Sequence, residues 1–136
     1  MSQANVENLR SFLRSWSFDP SRRRDVDLSL LDPDVTFEDT ALPDIVGERY
    51  SGHQGVIRAT KRWIEAYEWM VIEFEEIVDA GDRLVSIHRV RAKARHTGIE
   101  FDYPVAYLWT FRNGKVIHFR GYTDPNQALE GAVIED

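Results

Sequence analysis

The sequence predicts an α+β fold: a curved antiparallel sheet wrapped around a cone-shaped pocket, closed by three N-terminal helices and followed by a short C-terminal helix. Three observations carry this. Helical periodicity fills the first half of the chain, the period falls to two from Met70 onward, and turn residues recur at hairpin spacing through the second half. At 136 residues, with 43% hydrophobic and 12% aromatic content, the chain is expected to form one domain spanning 1–136.

Val6, Leu9, Phe12, Leu13 and Trp16 recur at helical spacing, and this first amphipathic helix ends at Ser17-Phe18-Asp19-Pro20. A second short helix is expected from about Ser21 to Leu31, with Val26 and Leu30 on one face, before Asp32-Pro33. Val35-Thr36-Phe37-Glu38-Asp39 then reads as a short strand that delivers a carboxylate to its own end. The stretch from Thr40 to Tyr50 contains Pro43 and Gly47 and reads as a rim loop. Ser51 and Gln54 have capping-box spacing, and Val56, Ile57, Thr60, Trp63, Ile64 and Tyr67 follow a helical period through the third helix.

Strands are expected at Met70–Val78, Arg83–Arg95, Glu100–Arg112 and Lys115–Tyr122. Ala80-Gly81-Asp82, Gly98 and Asn113-Gly114 separate them, the last being a two-residue hairpin signal. Asp124-Pro125 places an N-cap before proline at the first helical position and opens the last helix, with Leu129 and Val133.

Composition excludes several functions. A net charge of −6 and a pI near 5.2 oppose nucleic-acid binding, which depends on neutralising phosphates. Without cysteine there is no disulfide, thiolate zinc site or cysteine nucleophile. No apolar run approaches the ~20 residues that span a bilayer, so no membrane partner and a cytoplasmic location are expected. The four histidines lack metal-ligand spacing and no glycine-rich phosphate loop occurs, so neither a metal nor a cofactor is expected.

Asp39 is the first candidate residue, because a carboxylate at the end of a strand that opens into a cavity can act as general base; a turn-capping role is the alternative. His88 shares a strand face with Ser86, Val90, Ala92 and Ala94, so its ring is expected to point inward. A satisfied core histidine is the plainer reading, and an acid/base role the sharper one. Tyr107 lies on a face with Tyr103, Val105, Trp109 and Phe111, an aromatic wall of either a pocket or a core. Phe119 and Gly121 alternate inward on the last strand, and Trp16, Trp63 and Tyr67 are expected on helices at core spacing, where they would also line a pocket. The basic row Arg89, Arg91, Lys93 and Arg95 lies on the opposite face and is expected to meet acidic neighbours such as Glu73 and Glu75, or to join a subunit contact.

Nearly the whole chain resembles the nuclear transport factor 2-like superfamily, and within it the SnoaL-like polyketide cyclase and ketosteroid isomerase group. The residues that carry the resemblance are Trp16 with its helix, Val35–Asp39, the Tyr50-Ser51-Gly52 to Ile57 entry, Asn113-Gly114-Lys115-Val116 and the Phe119–Ala132 ending. It implies a homodimer and a small hydrophobic ligand, and it puts Asp39 on the general-base position of the ketosteroid isomerases. The same comparison puts Phe12 or Leu13 where that family has a hydrogen-bonding tyrosine, and Tyr107 where it has a protonated aspartate. The limonene epoxide hydrolase branch would need its Arg and two Asp near His88, Val90 and Gly121, and none matches.

The function expected is therefore cofactor-independent isomerase or cyclase chemistry: Asp39 removes a proton alpha to a carbonyl, and Tyr107 or His88 stabilises the enolate oxygen. The alternatives are a non-catalytic small-molecule binding module, and a dehydratase or hydrolase that uses His88.

Overall fold

A computed structural model of the chain describes residues 3–15, 28–39 and 48–134. In chain order the elements are α1 (Gln3–Ser15), β1 (Leu31–Asp39), β2 (Glu48–Ser51), α2 (Gly52–Ala66), β3 (Tyr67–Asp79), β4 (Arg83–Ala94), β5 (Glu100–Arg112), β6 (Lys115–Tyr122) and α3 (Pro125–Ile134). The strands form one curved, unclosed six-stranded sheet in the order β2-β1-β6-β5-β4-β3. The expected α+β class holds.

The inner face of the sheet follows the expected alternation. Leu84, Ser86, His88, Val90 and Ala92 of β4, with Val105, Tyr107 and Trp109 of β5, are buried there beneath α1 and α2. Leu9, Phe12 and Leu13 form the buried stripe of α1, and Val56, Ala59 and Trp63 that of α2. Burying such side chains contributes about 1.5–3 kcal/mol each in transfer free energy.

Several local expectations are corrected. The sheet is mixed rather than a pure antiparallel meander, because β1 runs parallel to β6 while the other pairings are antiparallel. β1 begins at Leu31, with Asp32-Pro33-Asp34 in an irregularity between the Leu31–Val116 and Thr36–His118 pairs. There a proline costs no ladder bond, and the Asp32 carboxylate accepts the amide of Asp34 at 2.8 Å. The expected second helix falls mainly on residues 21–27, outside the described residues, and its last residues instead form a turn into β1. The expected rim loop is described only from residue 48, where β2 begins.

Ser51 adopts extended backbone and makes no side-chain cap bond, so the capping-box pattern is not used; the residue pairs with Thr36 in the sheet instead. Tyr67 is the first residue of β3, not a helix residue. Its amide closes the last turn of α2 onto the Trp63 carbonyl while its own φ of −120° and ψ of 137° are those of a strand.

The Asn113-Gly114 turn has φ of 52° and 78°, the left-handed pair that a two-residue hairpin requires. Asp124 caps α3 as expected, its carboxylate accepting the amide of Asn126 at 3.0 Å. Helix α3, however, lies on the sheet face opposite α1 and α2. Ala128 and Ala132 pack there on Val85, Ala106 and Leu108, forming a second apolar cluster.

Candidate functional site

Strands β1 and β6 finish at the same end of the sheet, and the register puts the candidate residues in a row across it. Glu38 pairs with Arg120, so the backbone of Asp39 stands one residue beyond, level with Gly121. Gly121 pairs with Tyr107 of β5, and Tyr107 with Ser86 of β4. His88 follows two residues along the same face. The carboxylate of Asp39 lies outside the described side chains, as does Trp16 in its entirety.

His88 is 1% exposed and sits between two rings: Tyr107 meets it edge-on with centroids 5.6 Å apart, and Phe74 lies at 5.8 Å. Its Nε2 is 2.7 Å from the hydroxyl oxygen of Ser86, which also accepts the indole N–H of Trp109 at 2.8 Å. Burial in this apolar setting lowers the His88 pKa from 6.5 to about 4, because a charged imidazolium would lose its hydration. At neutral pH the ring is uncharged and works through hydrogen bonding.

The aromatic side chains form a continuous cluster. Trp109 stacks on Phe119 at 4.7 Å, Phe119 on Phe37 at 4.2 Å, and Phe37 meets Trp63 edge-on at 6.0 Å. Tyr107 lies against both Phe37 and Trp109. Tyr67 packs edge-on against Phe101 at the margin. Of the residues expected to line a pocket, Trp109 and Phe119 stack on each other, Trp63 reaches them through Phe37, and Tyr67 meets Phe101. Phe101, Tyr103, Ile72 and Phe74 are only half-buried beside Val90 and Ala92.

Phe37, Phe74 and Ser86 were not legible as site residues. Ser86 carried a usable signal, since a serine on an apolar strand face two residues from a histidine needs a partner. A cavity of about 340 Å³ elsewhere is lined by Asn8, Ser11, Phe12, Leu30 and Lys115 and touches none of the candidate residues. It lies at the other end of the sheet, beside the Asn113-Gly114 turn, away from His88 and Tyr107.

On the outer face the basic row is ion-paired. Arg89 meets Asp102 at 2.7 Å, Arg91 pairs with Glu73, and Lys93 lies 3.5 Å from Glu68. Arg95 departs from the row: its guanidinium donates to the carbonyls of Ile64 and Glu65 at the C-terminal end of α2 and of Tyr67 at the start of β3. Among the described residues, no group of three or more acidic or histidine side chains is placed to hold a metal, and no helix is long and apolar enough to cross a membrane.

The SnoaL-like domain family matches residues 9–119. Similar solved structures include a nuclear transport factor 2-like protein of unknown function from Burkholderia pseudomallei, 23% identical over 96% of this chain and 97% of that one, with a TM-score of 0.73. A candidate SnoaL-like polyketide cyclase from Jannaschia sp. CCS1 is also 23% identical, covering 98% and 95% of the two chains, with a TM-score of 0.71. TerC, crystallised with polyporic acid, is 19% identical over 94% and 99%, with a TM-score of 0.72. No curated protein matches the sequence. These likenesses carry the fold, and the family match over most of the sequence carries membership: the chain belongs to the SnoaL-like domain family.

Proposed function

We propose that the protein is a cofactor-independent isomerase or cyclase that moves a proton on a small hydrophobic carbonyl compound. The observation that carries this reading is the buried pair His88 and Tyr107, an uncharged imidazole and a phenol in edge contact on one dry face. Hydrogen-bond donors fixed in a water-poor site stabilise a developing enolate oxygen without reorganising. The base in this reading is Asp39, which follows the buried Val35 and Phe37 in the two-residue alternation of β1. A homodimer belongs to the same reading and is testable by light scattering.

The experiment is proton exchange. Small apolar ketones and hydroxyquinones are incubated with the protein in deuterium oxide, and loss of the proton alpha to the carbonyl is followed by NMR. Asp39→Asn is expected to slow exchange about a hundredfold to ten-thousandfold. Exchange at an undiminished rate in that variant would remove Asp39 from the mechanism.

A binding module is the second reading. Phe12 supports it, because α1 presents a ring edge-on to Trp109 at 5.8 Å where a hydroxyl donor would serve catalysis. In that case apolar ligands bind with equal affinity to the parent and to Asp39→Asn, and no exchange occurs. The dehydratase or hydrolase reading, with His88 as principal acid/base, requires an imidazole that titrates near working pH, and the lowered pKa of about 4 argues against it. It predicts loss of activity in His88→Ala with Asp39 dispensable.

A further inference from the structure

The cavity of about 340 Å³ beside the Asn113-Gly114 turn falls within the size range of small-molecule sites, and its wall carries a charge that the protein itself does not balance. Three segments build it. One face of α1 contributes Asn8, Ser11 and Phe12, whose i, i+3 and i+4 spacing puts them side by side. The turn before β1 contributes Ser29 and Leu30, and the β5–β6 hairpin contributes Gly114 and Lys115. These last two walls are tied together, because the Val116 amide donates to the Leu30 carbonyl at 2.9 Å and the Lys115 ammonium donates to the Ser29 carbonyl. Walls fixed in this way lower the ordering cost of binding.

The chemistry of the cavity is set by what its walls leave unsatisfied. An ammonium has three hydrogens; Lys115 gives one to Ser29, and no carboxylate pairs with it among the described residues. No acidic side chain is among the described residues that line the cavity, in a chain whose net charge is −6. Asn8 and Ser11 are exposed on the α1 wall, and neither side chain hydrogen-bonds to another described residue. Beside them Phe12 and Leu30 are buried and supply an apolar floor.

We propose that this cavity binds small organic monocarboxylates with an apolar body. The carboxylate accepts from Lys115, with Asn8 and Ser11 as further donors, and the body lies on Phe12 and Leu30. One ammonium with no second cation beside it matches a single negative charge better than a phosphate dianion. The site lies away from His88 and Tyr107 and does not depend on the reaction proposed above.

The test is a titration of ¹⁵N-labelled protein followed by amide proton–nitrogen NMR, with phenylacetate as probe and phenylacetamide as its uncharged counterpart. Phenylacetate is expected to shift the amides of Asn8 to Phe12 and of Gly114 and Lys115 saturably, and to bind about tenfold more tightly than phenylacetamide. Acetate, which lacks the apolar body, is expected to bind more weakly than phenylacetate. Lys115→Gln should remove the preference for the acid, whereas Lys61→Gln, at an exposed position of α2 outside the cavity, should keep it. Equal affinity for acid and amide, or for phenylacetate and acetate, overturns the assignment. So does an unaltered preference in Lys115→Gln, a set of shifts confined to Ser86, His88 and Tyr107 on the inner face, or the absence of any saturable shift at millimolar phenylacetate. The comparison of acid with amide uses the parent protein alone, so a variant that fails to fold does not shield the proposal.

Discussion

Phe37 and Phe119 stack with ring centroids 4.2 Å apart and planes 14° from parallel, across the parallel β1–β6 pair that joins segments distant in sequence. Both are 1% exposed, and Phe37 also contacts the rings of Tyr50, Trp63 and Tyr107. Phe37→Ala is accordingly expected to destabilise the protein by about 3–5 kcal/mol, through lost burial and an unfilled cavity. Urea unfolding of the two proteins checks this. A loss under about 1 kcal/mol would mean that the rings are not packed as described.

His88 makes stability depend on pH. Its folded pKa, about 4, lies below the ordinary 6.5, so between these values the unfolded chain binds a proton that the folded chain refuses. The native state is thus fully favoured above about pH 6.5 and loses up to about 3 kcal/mol as pH falls toward 4. In His88→Gln this part of the pH dependence should vanish, leaving the contribution of the carboxylates. Denaturation midpoints at a series of pH values between 4 and 7 make the comparison, and parallel curves for the two proteins would contradict the buried, neutral histidine.

Arg95 is expected to matter more than its neighbours in the basic row. Its guanidinium donates to the carbonyls of Ile64 and Glu65 at the end of α2 and of Tyr67 at the start of β3, at 3.0–3.2 Å, where helix carbonyls lack intrahelical partners and the helix dipole favours a cation. Arg95→Ala should cost about 1–2 kcal/mol, since the bonds are charge-assisted but the side chain is exposed to solvent. Arg91→Ala removes only an exposed ion pair with Glu73 and should cost less than about 1 kcal/mol. Equal losses from the two substitutions would show that the cap contributes nothing special.

The contrast between these two arginines also explains what could be read from residues alone. Alternation along β4 put Arg91 opposite the histidine face and beside acidic partners, because strand period and charge complementarity are local properties. Arg95 looked like the next member of that row, yet β4 ends at Ala94 and the guanidinium turns to the helix end. Similarly, Trp63 and Tyr67 have helical spacing, but α2 passes into β3 with no glycine or proline between them, so no punctuation marked the change. The parallel pairing of β1 with β6 and the docking of α3 on the outer face join distant segments, and neither leaves a local pattern. Within the site, His88 and Tyr107 were legible as inward residues of alternating strands. The Ser86 bond to His88 joins residues two apart on one strand face, whereas its bond to Trp109 joins residues 23 apart and leaves no local pattern.

Tyr107 separates the enzyme from the binding module. In the proposed reaction its hydroxyl donates to an oxygen that gains charge as the proton leaves, so the bond strengthens between bound substrate and transition state. Tyr107→Phe keeps the ring and its contacts with Phe37, His88 and Trp109, and removes the hydroxyl. Once a substrate is found by the exchange assay, kcat should fall about a hundredfold to a thousandfold with KM nearly unchanged. A rise in KM at constant kcat would mean that the phenol holds the ground state and the transition state equally, as in a binding site, and the donor role would then rest on His88 alone.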